Sequence, residues 1–241
     1  MIDTVIVIPV RLQASRFPNK PFAKIGKLPM LHYVFNAASK SFENVFLAIC
    51  DQEVEDYCNK NNLPFVLTNP NHISGSDRIG EAVEKLEKKL SFDFIINVQG
   101  DMPFIKKEYI SSLRENLSNY KMSTLACPFK NKVEAESLSK VKVEVANHEN
   151  LVAKDFSRTL IDTSKLNKSI FHHIGVYGFQ KQFLKEYISQ RPTKRELEEK
   201  LEQLRVSENI KISITIIDEE ILGVDTKEDL DTVNQLIQDH G

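Results

Sequence analysis

Between Thr4 and Pro9 the chain runs Val5, Ile6, Val7 and Ile8 without a polar residue. A strand with no polar alternation must be covered on both faces, as strands are inside a parallel sheet flanked by helices. The same reading predicts strands over 45–50, 65–68, 92–98 and 123–128. Helices are predicted between them over 30–40, 53–61, 77–90 and 107–119. Strand and helix therefore alternate as in a doubly wound α/β sheet.

The rhythm changes downstream. Residues 141–145 alternate apolar and charged side chains, 148–150 supply a turn, and 151–156 pair back as a hairpin. A strand over 171–179, helices over 182–189 and 194–206, and a buried strand over 211–217 follow. Within 194–206, Leu197, Leu201 and Leu204 form a helical stripe facing the core or a second subunit. Glu196 and Lys200, four apart, suit its solvated side. Thr226 with Asp229 resembles a capping box opening a last helix that runs to about residue 238. The expectation is one domain over 1–241, with a mixed α+β insertion near 130–210.

Composition narrows the function. The 241 residues carry 32 basic and 34 acidic side chains, a net charge of −2. A general nucleic-acid binder needs a basic surface to displace counterions, so that class is disfavoured. The three cysteines lack metal-ligand spacing and are expected as reduced thiols. No apolar run approaches the roughly 18 residues a membrane span needs, and the start lacks a signal peptide's basic region. A cytoplasmic protein without membrane or nucleic-acid partners is expected.

Charge is unevenly placed. From Thr4 to Phe42 there are six basic residues (Arg11, Arg16, Lys20, Lys24, Lys27 and Lys40) and no acid, so the remainder carries −8. Such a cationic stretch suits either a polyanion site or a solvated surface. Four polar segments lie where ligands sit in open α/β sheets, beyond the carboxyl ends of strands. They are IPVRLQASRFPNKPF (8–22), SGSDR (74–78), QGD (99–101) and LGVD (222–225). The first lacks both the Walker pattern and the dinucleotide glycine fingerprint. Its arginines and lysine match phosphate oxygens, as a planar fork and a mobile point charge. Asp101 and Asp225 each read as a magnesium ligand or as a turn or cap residue.

These segments, with HHIGVYGF (172–179), LEEKLEQLR (197–205) and GVDTKEDL (223–230), resemble in order the motifs of the CMP-Kdo synthetase family, the 3-deoxy-manno-octulosonate (Kdo) cytidylyltransferases. The likeness spans residues 8 to 230. It implies a nucleotidyltransferase-type, Rossmann-like, mostly parallel sheet flanked by helices. It further implies a homodimeric, Mg²⁺-dependent enzyme that joins CTP to Kdo, releasing pyrophosphate and giving CMP-Kdo for lipopolysaccharide synthesis. By the resemblance, Arg11, Ser15, Arg16 and Lys20 bind the triphosphate, and Ser76 and Arg78 line the nucleotide pocket. Gln99 lies between nucleotide and sugar, while Asp101 and Asp225 hold the metal. Arg158 (in FSR), His173, Tyr177, Glu202 and Gln203 face the sugar acid. Lys20, Arg11 and Asp101 carry the catalysis.

Three departures from the family pattern matter. Met102 stands where the family has Glu after QGD. Asn19 replaces a Gly in the lysine loop, and Asn tolerates positive φ better than most residues. The segment after Arg158 differs, which loosens the alignment there. A cytidylyltransferase for another acidic sugar (neuraminate-type or amino-Kdo) and a non-catalytic nucleotide sensor are the competing readings. Read without the resemblance, His173 on an apolar strand is more simply a core histidine.

Overall fold

The computed structural model describes residues 3–12, 17–72, 74–146, 151–160 and 162–240, with side chains described to 238. In chain order the elements are β1 (Thr4–Pro9), β2 (Lys24–Ile25), β3 (Leu28–Pro29), α1 (Met30–Ala38), β4 (Val45–Ile49), α2 (Gln52–Lys60), β5 (Phe65–Leu67), α3 (Gly75–Leu86), β6 (Phe94–Asn97) and α4 (Lys107–Asn116). They continue with β7 (Met122–Cys127), α5 (Lys132–Glu136), β8 (Lys142–Val145), β9 (Ala153–Ser157), β10 (Ile170–Gln180), α6 (Lys181–Ser189), α7 (Lys194–Glu199), β11 (Ile212–Ile216) and α8 (Lys227–His240). Two compact units result, one of Met1–Ile110 with Ile221–Gly241, the other of Ser111–Glu220. The second is wider than the insertion expected near 130–210.

In the first unit β1 pairs in parallel with β4 on one side and β6 on the other, and β5 extends the sheet beyond β4. Ile6 stands opposite Val45 and Ile96, and Val5 to Ile8 are fully buried. The unbroken apolar run is thus explained by a strand with neighbours at both edges and cover on both faces. Helix α3 packs on β1, β4 and β5. Its Ile79, Ala82, Val83 and Leu86 are buried at helical spacing, and each large apolar side chain so covered is worth roughly 1.5–3 kcal/mol. Ser74 caps α3, its hydroxyl accepting the Asp77 N–H at 3.1 Å. Because all four strands are parallel, their carboxyl ends share one edge. The segments that begin at residues 10, 50, 68 and 98 leave from it.

The last helix starts as the sequence predicted. Thr226 Oγ1 accepts the Asp229 N–H at 3.2 Å, and Asp229 Oδ2 accepts the Thr226 N–H at 2.8 Å. Two N-terminal donors are satisfied reciprocally, with Asp in place of the usual Glu. The short β2–β3 ribbon was not anticipated; Asn234 of α8 fastens its turn, accepting from Gly26 N and donating to Lys24 O.

In the second unit β7 is buried along its whole length, parallel to β11 and antiparallel to β10. Antiparallel pairing continues from β10 to β8 and from β8 to β9, the expected hairpin. The turn expected at 148–150 lies outside the described residues. The continuous helix predicted over 194–206 is corrected. Helix α7 stops at Glu199, Lys200 takes a left-handed conformation at φ 55°, and Glu202–Arg205 form a 3₁₀ turn. The expectation of Glu196 on a solvated side also fails. Glu196 is 5% exposed, accepts the Thr193 N–H to complete a capping box, and pairs with Arg205 Nη2 at 2.6 Å. Leu197 of the supposed stripe is 65% exposed, while Leu201 and Leu204 are buried. Among the described residues no helix is long and apolar enough to cross a membrane, and all three cysteines are free thiols.

Candidate functional site

The loop after β1 is fixed at both ends. Val10 N–H donates to Ala48 O at 2.9 Å, and Leu12 N–H donates to the Asp51 carboxylate at 2.9 Å. Asn19 N–H closes on Leu12 O at 3.3 Å, and Asn19 itself adopts φ 56°. That conformation suits Asn: a short polar side chain enters the left-handed region with little strain. A 3₁₀ turn over Lys20–Phe22 follows and sets the lysine. Arg11 is exposed at the start of this loop. Ser15 and Arg16, both expected to bind phosphate, lie outside the described residues.

The turn after β6 approaches the same region. A side chain on Gly100 would put its Cβ 2.9 Å from Pro9 O, so the close approach of this turn to the end of β1 requires glycine. Asp101 follows. Its carbonyl accepts the Val224 N–H at 2.9 Å, which brings the 223–225 segment alongside. The Lys20 ammonium then joins the two acids, lying 2.6 Å from Asp101 Oδ2 and 3.0 Å from Asp225 Oδ1. Lys20 is 15% exposed, Asp101 29% and Asp225 53%. Asp229 holds the far acid in place by accepting the Asp225 N–H at 2.9 Å. Burial pushes the Asp229 carboxyl up, but the N–H donors of Asp225 and Thr226 and the Lys20 charge outweigh it and hold it below the usual range.

On α3, Ser76 and Arg78 are both buried, and Arg78 Nη1 donates to Thr68 Oγ1 at 2.5 Å. Thr68 Oγ1 in turn donates to Ile49 O at 2.8 Å. Gln99 is half-buried in the turn that presents Asp101. Asn97, the buried last residue of β6, has a side-chain oxygen with no hydrogen-bond partner among the described residues. Sequence reading missed Asn97, Asp51 and Thr68, and took Asp229 for a helix cap only. A carboxylate or hydroxyl just beyond the carboxyl end of a strand was the signal that could have found Asp51 and Thr68.

The residues expected to face a sugar acid all belong to the second unit. His173 Nε2 is 2.9 Å from Thr124 Oγ1, and burial pushes its pKa down to about 3, leaving a neutral ring. Thr124 Oγ1 also lies within 2.8 Å of Val176 O. A hydroxyl that donates to this carbonyl accepts from His173 Nε2–H, and Nδ1 then remains as an acceptor. Tyr177 donates to Gln203 Oε1 at 3.0 Å, its ring 5.6 Å from that of His173. Burial, then the Tyr187 and Glu202 groups, push the phenol well above its ordinary pKa, so it remains a donor. Gln203 Nε2 is buried without a partner. Such a donor is costly to leave unmade, and an oxygen-rich ligand would satisfy it. Glu202, the next residue back, is half-buried, and its carbonyl accepts from Tyr187 Oη. Arg158 is engaged with backbone. Its guanidinium donates to the backbone oxygens of Glu199 at 2.6 Å, Leu138 at 3.1 Å and Lys200 at 3.4 Å.

Two carboxylates that reach one ammonium also suit a small hard cation. Asp101 and Asp225 offer oxygen donors of the kind and number that Mg²⁺ takes from protein when phosphate oxygens and water complete its shell. A second cluster, Glu134, His172 and Glu220, lies in the other unit. There Lys140 pairs with both glutamates, and the group reads as an ion-pair network.

A family model described as cytidylyltransferase matches residues 5–214. The 3-deoxy-manno-octulosonate cytidylyltransferase of Leptospira biflexa is 35% identical over 97% of this chain and 96% of its own. That of Fusobacterium nucleatum is 34% identical with the same coverage. A solved CMP:2-keto-3-deoxy-manno-octonic acid synthetase complexed with CTP superposes with a TM-score of 0.89 at 30% identity, over 99% of this chain and 100% of that one. The 4-diphosphocytidyl-2C-methyl-D-erythritol synthase of Anaerococcus prevotii shares the fold at 13% identity, with a TM-score of 0.65 over 98% of this chain and 96% of that one. The α/β class with a largely parallel sheet flanked by helices is common to them, and this chain belongs to the cytidylyltransferase family, among the 3-deoxy-manno-octulosonate cytidylyltransferases.

Proposed function

We propose that the chain transfers the cytidylyl group of CTP to Kdo, giving CMP-Kdo and pyrophosphate for lipopolysaccharide synthesis. The observation that carries this reading is the meeting of Lys20, Asp101 and Asp225 beside the loop after β1. In the proposed reaction the anomeric hydroxyl oxygen of Kdo bonds to the α-phosphorus as the α–β bridging bond breaks. The electron pair leaves on pyrophosphate and the hydroxyl proton is released. Both reactants are anionic, so the main obstacle is charge.

Lys20 and Arg11 oppose that repulsion, with Ser15 and Arg16 of the same loop. Positioned cations of this kind are commonly the largest catalytic term. Mg²⁺, held by Asp101 and Asp225, would neutralise phosphate charge and polarise the hydroxyl. Ser76, Arg78 and Gln99 orient the nucleotide. His173, Tyr177, Glu202 and Gln203 select the sugar through hydroxyl hydrogen bonds. Arg158 pairs with the sugar carboxylate on exchanging its backbone partners. The proposal includes a homodimer, as the family resemblance implies.

A pyrophosphate-release assay with CTP, Mg²⁺ and a panel of sugar acids tests the reading. Kdo should turn over fastest. Faster turnover of a neuraminate or an amino-Kdo would reassign the sugar, and tight CTP binding without turnover would make the chain a sensor.

A further inference from the structure

We infer that Glu81 is a positioning residue for the nucleotide, setting where Ser76 and Arg78 stand by tying the loop over 69–72 to helix α3. The inference rests on the first unit binding CTP as proposed above. Glu81 Oε2 accepts the Asn69 N–H at 2.7 Å and His72 Nε2–H at 2.5 Å. Its other oxygen pairs with Lys85 at 2.7 Å, and Lys85 also reaches Leu67 O at 2.7 Å. Asn69 Oδ1 accepts the Asn71 N–H at 2.9 Å, so the loop is folded on itself as well as fastened to the helix.

The placement makes this more than a surface ion pair. Thr68 and Asn69 are consecutive. The first accepts from Arg78 and the second donates to Glu81, three residues further along one face of α3. The loop's start is therefore pinned to the helix at two adjacent points, and one of them is a proposed nucleotide contact. With Glu81 removed, the Asn69 N–H and His72 lose their acceptor, and of the two adjacent points that pin the start of the loop the Arg78–Thr68 bond remains. Ser76 and Arg78 shift together, and both ground state and transition state lose the same nucleotide contacts. Such a loss raises KM with little change in kcat.

The test compares Glu81→Ala, Glu81→Gln and Lys85→Met with the wild-type chain, by CTP titration calorimetry without sugar and by steady-state kinetics. Glu81→Ala should weaken CTP binding about tenfold and raise KM for CTP in parallel, with kcat and KM for Kdo within about threefold. Glu81→Gln keeps an acceptor for Asn69 and should recover most of the affinity. Lys85→Met removes the ion pair, leaves the loop contacts, and should lower Tm without changing CTP affinity. If Glu81→Ala does not fold, Glu81→Asp, too short to reach the loop, replaces it with the same expectation. A lowered Tm with unchanged CTP affinity in the Glu81 variants overturns the positioning role. A wild-type chain that binds no CTP overturns the reading of the first unit and this inference with it.

Discussion

The Val224 N–H donates to the carbonyl of Asp101 at 2.9 Å, so the segment before the last helix is fastened by backbone to the turn after β6. Asp225, the next residue, is thereby delivered to the side of Asp101 although the two are far apart in sequence. Asp229 secures the arrangement from behind by accepting the Asp225 N–H. A single side chain, Lys20, spans the pair. The fold thus assembles a cation and two acids from three segments using one backbone bond and one helix cap.

In the proposed reaction Lys20 supplies the charge that faces developing negative charge on the leaving phosphates. Lys20→Met should lower kcat on the order of 10²–10³, the cost of deleting one preorganised donor. Lys20→Arg should recover little, because a planar fork cannot occupy the place of a point charge lying between two carboxylates. Turnover under saturating CTP and Kdo checks this, and near-normal kcat in Lys20→Met would remove Lys20 from the chemistry.

Asp101 and Asp225 should differ in their metal dependence. Asp101 is the more enclosed and is held on both sides, by Lys20 and through its carbonyl by Val224. Asp101→Asn should raise the Mg²⁺ needed for half-maximal activity and depress kcat even at saturating metal. Asp225→Asn, at an exposed position, should mainly shift the Mg²⁺ requirement. Identical Mg²⁺ titrations for wild type and both variants would exclude the pair as the metal site.

Gly100 tests the packing that brings the turn to the end of β1. A methyl group there would sit 2.9 Å from Pro9 O, a backbone atom held in the sheet. Gly100→Ala should cost about 1–3 kcal/mol by overpacking and should also displace Asp101. Denaturant unfolding together with Mg²⁺-dependent CTP binding measures both effects. A variant with unchanged stability would show that the turn yields freely.

Low pH should unfold the chain partly through Glu81. Burial pushes this carboxyl up, but hydrogen bonds from Lys85, the Asn69 N–H and His72 outweigh it and bring its pKa down to about 2 from 4.5. A depressed folded pKa means stability that is complete above the unfolded value and lost as pH falls from about 4.5 toward 2. At 23% side-chain exposure the contribution is roughly 2 kcal/mol after allowance for screening. The stability gap between wild type and Glu81→Gln, followed by denaturant titration between pH 6 and 3, should narrow toward the acid end, and curves that stay parallel would contradict it.

How far sequence carried the structure depended on the range of the interaction. The unbroken run Val5 to Ile8 was readable as a doubly covered strand because burial on both faces leaves no room for polar alternation. Asn19 and the Thr226–Asp229 box were readable because positive φ and capping are local properties. The Lys20–Asp225 contact spans 205 positions and Leu12–Asp51 spans 39, and no spacing rule reports on either. The end of α7 was hidden for another reason. Lys200 adopts the left-handed conformation that sequence reading reserves for Gly or Asn, so the helical period seemed to run through it. Glu196 then went unrecognised as a buried acid, since its partner Arg205 lies on the far side of that break.

That pair gives the sharpest stability test in the second unit. Arg205 donates through Nε to both Glu196 oxygens at 3.2 and 3.1 Å and through Nη2 at 2.6 Å, and its guanidinium lies 4.9 Å from the centre of the Tyr187 ring. Both side chains are about 5% exposed, so removing one leaves a charge in a site that solvates it poorly. Arg205→Met should therefore cost about 3–5 kcal/mol. Adding Glu196→Gln removes the stranded charge while keeping an acceptor for the Thr193 N–H, and the double variant should recover most of the loss. Denaturant unfolding of the four proteins closes the cycle. Strictly additive losses would mean that Glu196 and Arg205 act independently of each other.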